Sequence, residues 1–191
     1  MARYAPAVTT ARGYHHGDLR RALLDAAVQA IEESGVAALS LRDLARRAGV
    51  SHAAPAHHFG DKAGLLTALA AEGFALLADE LGRAGDDLLE AGVAYVRFAV
   101  GHRAHFEVMF APDLHRADDP ALAAARTRAG VALRGRVAAL ATPSADPERN
   151  ALAAWSIVHG FVTLWLAGAL PPSAGPDLES AARSVIRRLF E

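Results

Sequence analysis

Apolar residues in this chain recur at helical spacing in one segment after another, and almost nowhere at strand spacing. In the first segment Leu19, Leu23, Ala26, Ala30 and Ile31 form one stripe that ends at Gly35, with Asp18 as the cap before it. Ser40 then caps a short helix bearing Leu41, Leu44, Ala45 and Ala48, which Gly49 stops. Ser51 opens a third short segment, SHAAPAHHF. A longer helix from about Asp61 to Leu81 follows, with Leu65, Leu69, Leu76 and Leu77 on its apolar side. After a break over Gly82 to Asp87, Leu89, Val93, Val96 and Val100 mark another helix, and the short run HFEVMF leads to Pro112. Asp119 and Pro120 begin a helix striped by Leu122, Ala125, Ala129, Leu133, Val137 and Leu140, which TPSADP stops. Two more segments complete the pattern: Ala151 to Leu170, and a short helix from Asp177 with Leu178, Ala182, Val185 and Leu189 inward. The spacing predicts an all-α chain of about nine helices, since no alternating run bounded by Asn-Gly or Asp-Gly turns competes with it.

The run from Ala151 to Pro176 holds no charged residue, and its apolar part has the length of a membrane span. Ser156, His159, Gly160, Thr163 and Gly168 interrupt it, and no cluster of Lys or Arg flanks it. A helix apolar on all sides is equally at home between other helices or between subunits, and that is the reading adopted. Cysteine is absent, which fits a reducing, cytoplasmic setting and removes thiolate metal sites, thiol nucleophiles and disulfides together. A net charge of −1 excludes a globally basic nucleic-acid protein but leaves room for a local basic face. No phosphate loop, nucleophile elbow, paired Glu-x-x-His or zinc helix is present, so no enzyme, cofactor or metal is expected. Of the 9 histidines, His102, His105 and His115 come nearest to a metal set, but no carboxylate at ligand spacing completes it.

The chemistry-bearing stretch is LRDLARRAGVSHAAPAHHFGDKAGLL. Ala45 and Ala48 are small where two helices cross, Gly49 permits a left-handed turn, and Val50 can fill the angle between the helices. Ser51 would cap the second of these and leave N–H groups free for a phosphate, although Pro55 means the helix is either distorted at its start or begins later. Over residues 12 to 82 the chain closely resembles the TetR family of one-component regulators. Ala48-Gly49-Val50-Ser51, then His58-Phe59, Lys62 and Leu65-Leu66, match that family's DNA-binding domain in type and spacing, and YHHGDLRRALLDAA resembles the first helix of one subgroup. The resemblance implies a helix-turn-helix whose recognition helix, about Ser51 to His57, enters the major groove of a double-stranded DNA operator.

Residue roles follow. Arg42 can reach a guanine edge or a phosphate, and at most one of Arg46 and Arg47 shares its direction. His52, Ala53 and Ala54 sit nearest the bases, where a methyl group reads thymine. Lys62, the one lysine, stands in a helix's first turn, which disfavours a cation, so a facing phosphate is its expected partner. His58 either donates to a phosphate or packs on Phe59. The family usually carries Tyr where this chain has Ala56, and His57 or His52 is the available substitute. Arg12 and the tail before it are assigned no site.

Beyond residue 85, AWSIVHGF and AYVRFAVGHRAHFEVMF resemble a Trp-His-Gly subgroup of TetR-like C-terminal domains. That implies a small-molecule sensor, and homodimerisation through about 151–170 and 178–190. An apolar or aromatic effector is expected among Phe98, His102, Phe106, Met109, Phe110, Trp155 and His159. The expected organisation is an N-terminal arm and DNA-binding domain (1–60), a connecting helix (61–82) and a sensing and dimerisation domain (83–191). The function expected is a repressor released by its effector; the alternative is a helical dimeric binding protein that has lost specific DNA recognition.

Overall fold

The computed structural model describes residues 16–140 and 146–189, the side chains of 16–18, 138–140 and 189 aside. Among the described residues the chain forms nine α-helices and no strand. They are α1 (His16–Ala38), α2 (Leu41–Arg47), α3 (Ala54–Phe59), α4 (Lys62–Arg83), α5 (Leu88–Gly101), α6 (Arg103–Met109), α7 (Pro120–Leu140), α8 (Pro147–Leu166) and α9 (Leu178–Ile186). Three single 3-10 turns, Pro112–Leu114, Pro172–Ala174 and Arg187–Leu189, punctuate the second half.

Helix starts are set by short acceptor side chains. Ser40 accepts from the Asp43 N–H, Asp61 from Gly64, Asp87 from Leu89, Asp119 from Leu122, Asp146 from Glu148 and Asp177 from Ser180, at 2.7–3.2 Å. Each such cap is worth about 1 kcal/mol. The Asp146-Pro147 pair moves the start of α8 a turn ahead of the expected Ala151, and its helix stops at Leu166 rather than Leu170. Capping chemistry, rather than the boundary of charge, sets those ends. Helix α1 already runs at His16, so Asp18 lies inside the helix and is not its cap. It is interrupted at Gly35, as its stripe predicts. The side chains of Leu140 and Leu189, and Arg12, Phe190 and most of TPSADP, lie outside the described residues.

The core is continuous from one half of the molecule to the other. A single cluster links Leu44 and Phe59 near α3 to Phe98, Val162 and Ile186. Helix α4 runs through its centre, with Leu65, Leu66, Leu69 and Ala70 essentially unexposed, each burial of a leucine worth about 1.5–3 kcal/mol. Helix α7 lies along α4 in the most extensive helix pairing, and α6 packs against both α4 and α1. Two expected inward residues turn outward: Val100 and Val185 are each 38% exposed. Helix α5 is covered on nearly all sides, so Phe98 and Ala99 fill the place expected for Val100, and Ile186 does so for Val185.

Candidate nucleic-acid interface and effector cavity

Helices α2 and α3 meet at an angle around a buried Leu44 and Ala45. Gly49, at φ 66°, turns the chain so that the Val50 N–H returns to the Ala45 carbonyl at 3.0 Å. Ser51 does not cap α3: the helix begins at Ala54, no side chain caps it, and the Ser51 carbonyl instead accepts the Ala54 N–H at 3.0 Å. The later start is the one Pro55 allows, because it lacks an N–H and its ring is buried in the first turn. The expected recognition stretch therefore divides into a lead-in and a helix. Ser51, His52, Ala53, Ala56 and His57 are exposed, Ala54 and His58 half-buried. The His58 ring lies 6.3 Å from that of Phe59, between ring centroids.

The cations around this surface are sorted by their partners. Arg46 and Arg47 both reach Asp43, at 2.6 Å each, and Arg47 also holds Glu33 of α1 at 2.8 Å. Arg47 first, then Arg46, keep the Asp43 carboxyl below the usual carboxylate range. Arg42 is exposed and meets no carboxylate among the described residues. Lys62 has a role that its sequence position did not disclose. Its amine donates to the carbonyls of Val36 (2.9 Å) and Ala37 (3.3 Å), tying the end of α1 to the start of α4. That intramolecular bond offsets the unfavourable dipole position without any phosphate. Lys62→Met should therefore destabilise the fold by about 1–2 kcal/mol in urea unfolding, two charge-assisted bonds being lost to partly solvated carbonyls; an unchanged midpoint would show that the bond is idle.

In the other half, α4, α5, α7 and α8 enclose a cavity of about 530 Å³. Of the residues expected to hold an effector, Met109, Phe110 and Trp155 line it; Phe98, His102, Phe106 and His159 do not. Phe98 is core, 2% exposed and 5.0 Å from the His102 ring. Phe106 and His159, 5.2 Å apart, form a layer behind the wall. Tyr95, missed in the sequence because it stands in an unbroken apolar run, lines the cavity and organises that layer. Its hydroxyl receives the Trp155 indole N–H at 3.3 Å and meets His159 Nδ1 at 2.9 Å. An indole only donates, so the phenol proton points to His159 and fixes a neutral ring with Nδ1 as acceptor. Burial keeps His159 below its ordinary basicity and pushes the Tyr95 phenol above its ordinary value.

Two polar links run from this region to α1 and the start of α4. Glu72 of α4 receives Arg21 of α1 at 2.6 Å and His105 of α6 at 3.1 Å. His105 first, with Arg21 also contributing, holds the Glu72 carboxyl below its usual value. Arg116, just past the turn that carries cavity-lining Pro112, reaches Asp61, the cap of α4, at 3.0 Å. Its backbone N–H also donates to Thr67 at 2.8 Å. His102 and His105 lie 5.8 Å apart between ring centroids, but the described residues hold no group of three side chains able to bind a metal. No described helix is long and apolar enough to cross a membrane.

A short exposed helix set on a Gly turn, joined through one core to an all-helical half with a cavity, defines a helix-turn-helix protein with an appended second domain. Residues 23–69 match the model of bacterial regulatory proteins of the tetR family, and residues 88–189 match that of the tetracyclin repressor-like C-terminal domain. The chain belongs to the TetR family. A protein of unknown function from Rhodococcus sp. RHA1 is 34% identical, with 94% of this chain and 97% of that one superposed at a TM-score of 0.79. AibR, solved with isovaleryl coenzyme A and operator DNA, shares the fold at 21% identity and a TM-score of 0.63, over 90% of this chain and 98% of its own. The transcriptional regulator BetI of Burkholderia thailandensis is 44% identical over 52 residues, an alignment spanning only 27% of each chain.

Proposed function

We propose that this chain is a homodimeric, sequence-specific DNA-binding transcription regulator of the cytoplasm, a repressor released from its operator by a small-molecule effector. The observation that carries the reading is the exposed surface of Ser51, His52, Ala53 and His57 beside an Arg42 that meets no carboxylate among the described residues. In this reading residues 1–60 read DNA, 61–82 connect, and 83–191 sense and dimerise, without catalysis. Ala54 and His58 flank the reading surface, and Lys62 acts on DNA indirectly, by holding α4 against α1. The small side chains leave direct readout to very few groups, with methyls reading thymine and Arg42 a guanine or a phosphate.

The outer face of α8 supports a second copy as partner. Leu152 is 58% and Leu164 47% exposed, and Ser156 and Thr163 are exposed uncharged neighbours, while α9 adds Val185. Covering such a face by an identical one gives a closed two-fold pair. Two reading helices must then meet successive major grooves about 34 Å apart. An effector that shifts Phe110 and Pro112 would pull Arg116 on Asp61 and tilt α4, spoiling that spacing. AibR, a protein of this fold, is solved in complex with isovaleryl coenzyme A and operator DNA together.

The test is selection of a duplex from a random pool, followed by fluorescence anisotropy. A distinct sequence should be enriched, affinity should fall steeply with salt, and Arg42→Ala should weaken binding about tenfold or more. Failure to enrich any sequence, with binding to random duplex no stronger at low salt, would favour a dimeric binding protein that no longer reads DNA.

A further inference from the structure

Helix α7 carries four arginines in its described part, and they divide by face. Arg128 is tied to α4 through the Ala75 carbonyl at 2.7 Å and Asp79 at 3.2 Å, and Arg136 to the Leu81 carbonyl of α4 at 2.6 Å and the Gly85 carbonyl just past its end at 2.7 Å. Arg126 and Arg134 face the cavity instead. Among the described residues neither meets a carboxylate. The Arg126 guanidinium lies over the Phe74 ring, 5.3 Å from its centroid, which orients the charge without neutralising it. Between them, one turn from each, Gly130 also lines the cavity. A Cβ at Gly130 would come within 2.9 Å of Arg134 Nη1, so that guanidinium folds back over the glycine towards the turn that bears Arg126. Glu148 is the one carboxylate on the lining, and it forms no ion pair among the described residues. The wall is otherwise almost wholly apolar.

We propose that the cavity is built for an amphipathic monoanion. Its apolar body packs against Phe74, Phe110, Trp155 and Val158, and its carboxylate sits at the Gly130 turn between Arg126 and Arg134. Guanidinium groups match carboxylate oxygens in planar pairs, and the bare backbone at Gly130 lets that group approach α7 closely. The two arginines outweigh Glu148 by one charge, so an anionic ligand is attracted, a neutral one is accepted by the apolar wall alone, and a cation is repelled. This assignment rests on the cavity being the effector site, and sharpens it to a ligand class.

Isothermal titration calorimetry of the full chain with 4-phenylbutyrate, 4-phenylbutan-1-ol and 4-phenylbutylamine tests it, since the three share one apolar body. The carboxylate should bind about tenfold more tightly than the alcohol, and the amine more weakly than both. An Arg126→Ala/Arg134→Ala double variant, whose exposed positions leave the fold intact by circular dichroism, should lose that preference while keeping the alcohol's affinity. Equal binding of acid and alcohol, a preference that survives the double variant, or tightest binding of the amine would overturn the charge assignment and leave the cavity reading standing. If none of the three bound, the cavity reading itself would fall.

Discussion

Phe98→Ala is expected to lower the unfolding free energy by about 3–5 kcal/mol, the largest single loss anywhere in the second half of the molecule. The ring is 2% exposed and stacked on His102, between Val96 and Ala99 neighbours that are fully buried, so the surroundings cannot collapse into the space it leaves. The same substitution should leave effector affinity intact at temperatures where the variant is folded, because Phe98 does not line the cavity. Phe110→Ala should do the reverse, costing affinity more than stability. Urea unfolding and titration with an effector analogue, run on both variants, separate the two roles; a loss of affinity in Phe98→Ala matching that in Phe110→Ala would put both rings in the binding wall.

Gly73→Val should cost about 1–3 kcal/mol and, more tellingly, disconnect effector from operator. Helices α4 and α6 approach so closely there that a Cβ would lie 2.5 Å from the Met109 sulfur and 3.0 Å from the His105 Cβ. The Met109 side chain can swing into the cavity it lines, but the His105 Cβ is fixed to the backbone of α6, so the branches of a valine press on α6 itself. Displacing α6 breaks the His105–Glu72 bond, and with it the link through Arg21 to α1. The ratio of operator affinities without and with effector, about 5- to 150-fold for coupled sites, should then fall towards one. Gly82→Ala is the matched control on the same helix, where an added Cβ meets nothing and the effect should be neutral or stabilising by about 0.5–1 kcal/mol. A full effector response in Gly73→Val would show that α6 is not on the path.

Local rules carried the reading of the fold a long way. Apolar period marked each described helix, and Ser40 with the Gly49 turn marked the α2–α3 unit, because each depends on residues only a few positions apart. The starts of α1, α3 and α8 nonetheless fall away from Asp18, Ser51 and Ala151. What depended on distance in sequence was not legible. Lys62 was assigned by the dipole of its own helix, whereas its partners are carbonyls 25 and 26 residues earlier. Tyr95 stands in an apolar run with nothing local to single it out, and its hydrogen-bond partners, Trp155 and His159, lie some sixty positions on. Phe98 and Phe110 are twelve residues apart in one aromatic-rich stretch, and only packing shows that one fills the core and the other walls a cavity. Arg126 and Arg134 lie off the apolar stripe of α7, and nothing in their spacing marks them as cavity-lining. An amphipathic pattern tells which face is buried, not what opens onto its margin.

The occupied state of Lys62 makes this protein its own reporter. It holds the sole ε-amine in the sequence, and that amine is engaged by backbone oxygens at the junction of α1 and α4. An acylating reagent directed at primary amines therefore has one internal target, half-buried and held back by the bonds that close the junction. The rate of that single modification, followed by mass spectrometry, should rise as the junction of α1 and α4 loosens, with no engineered label.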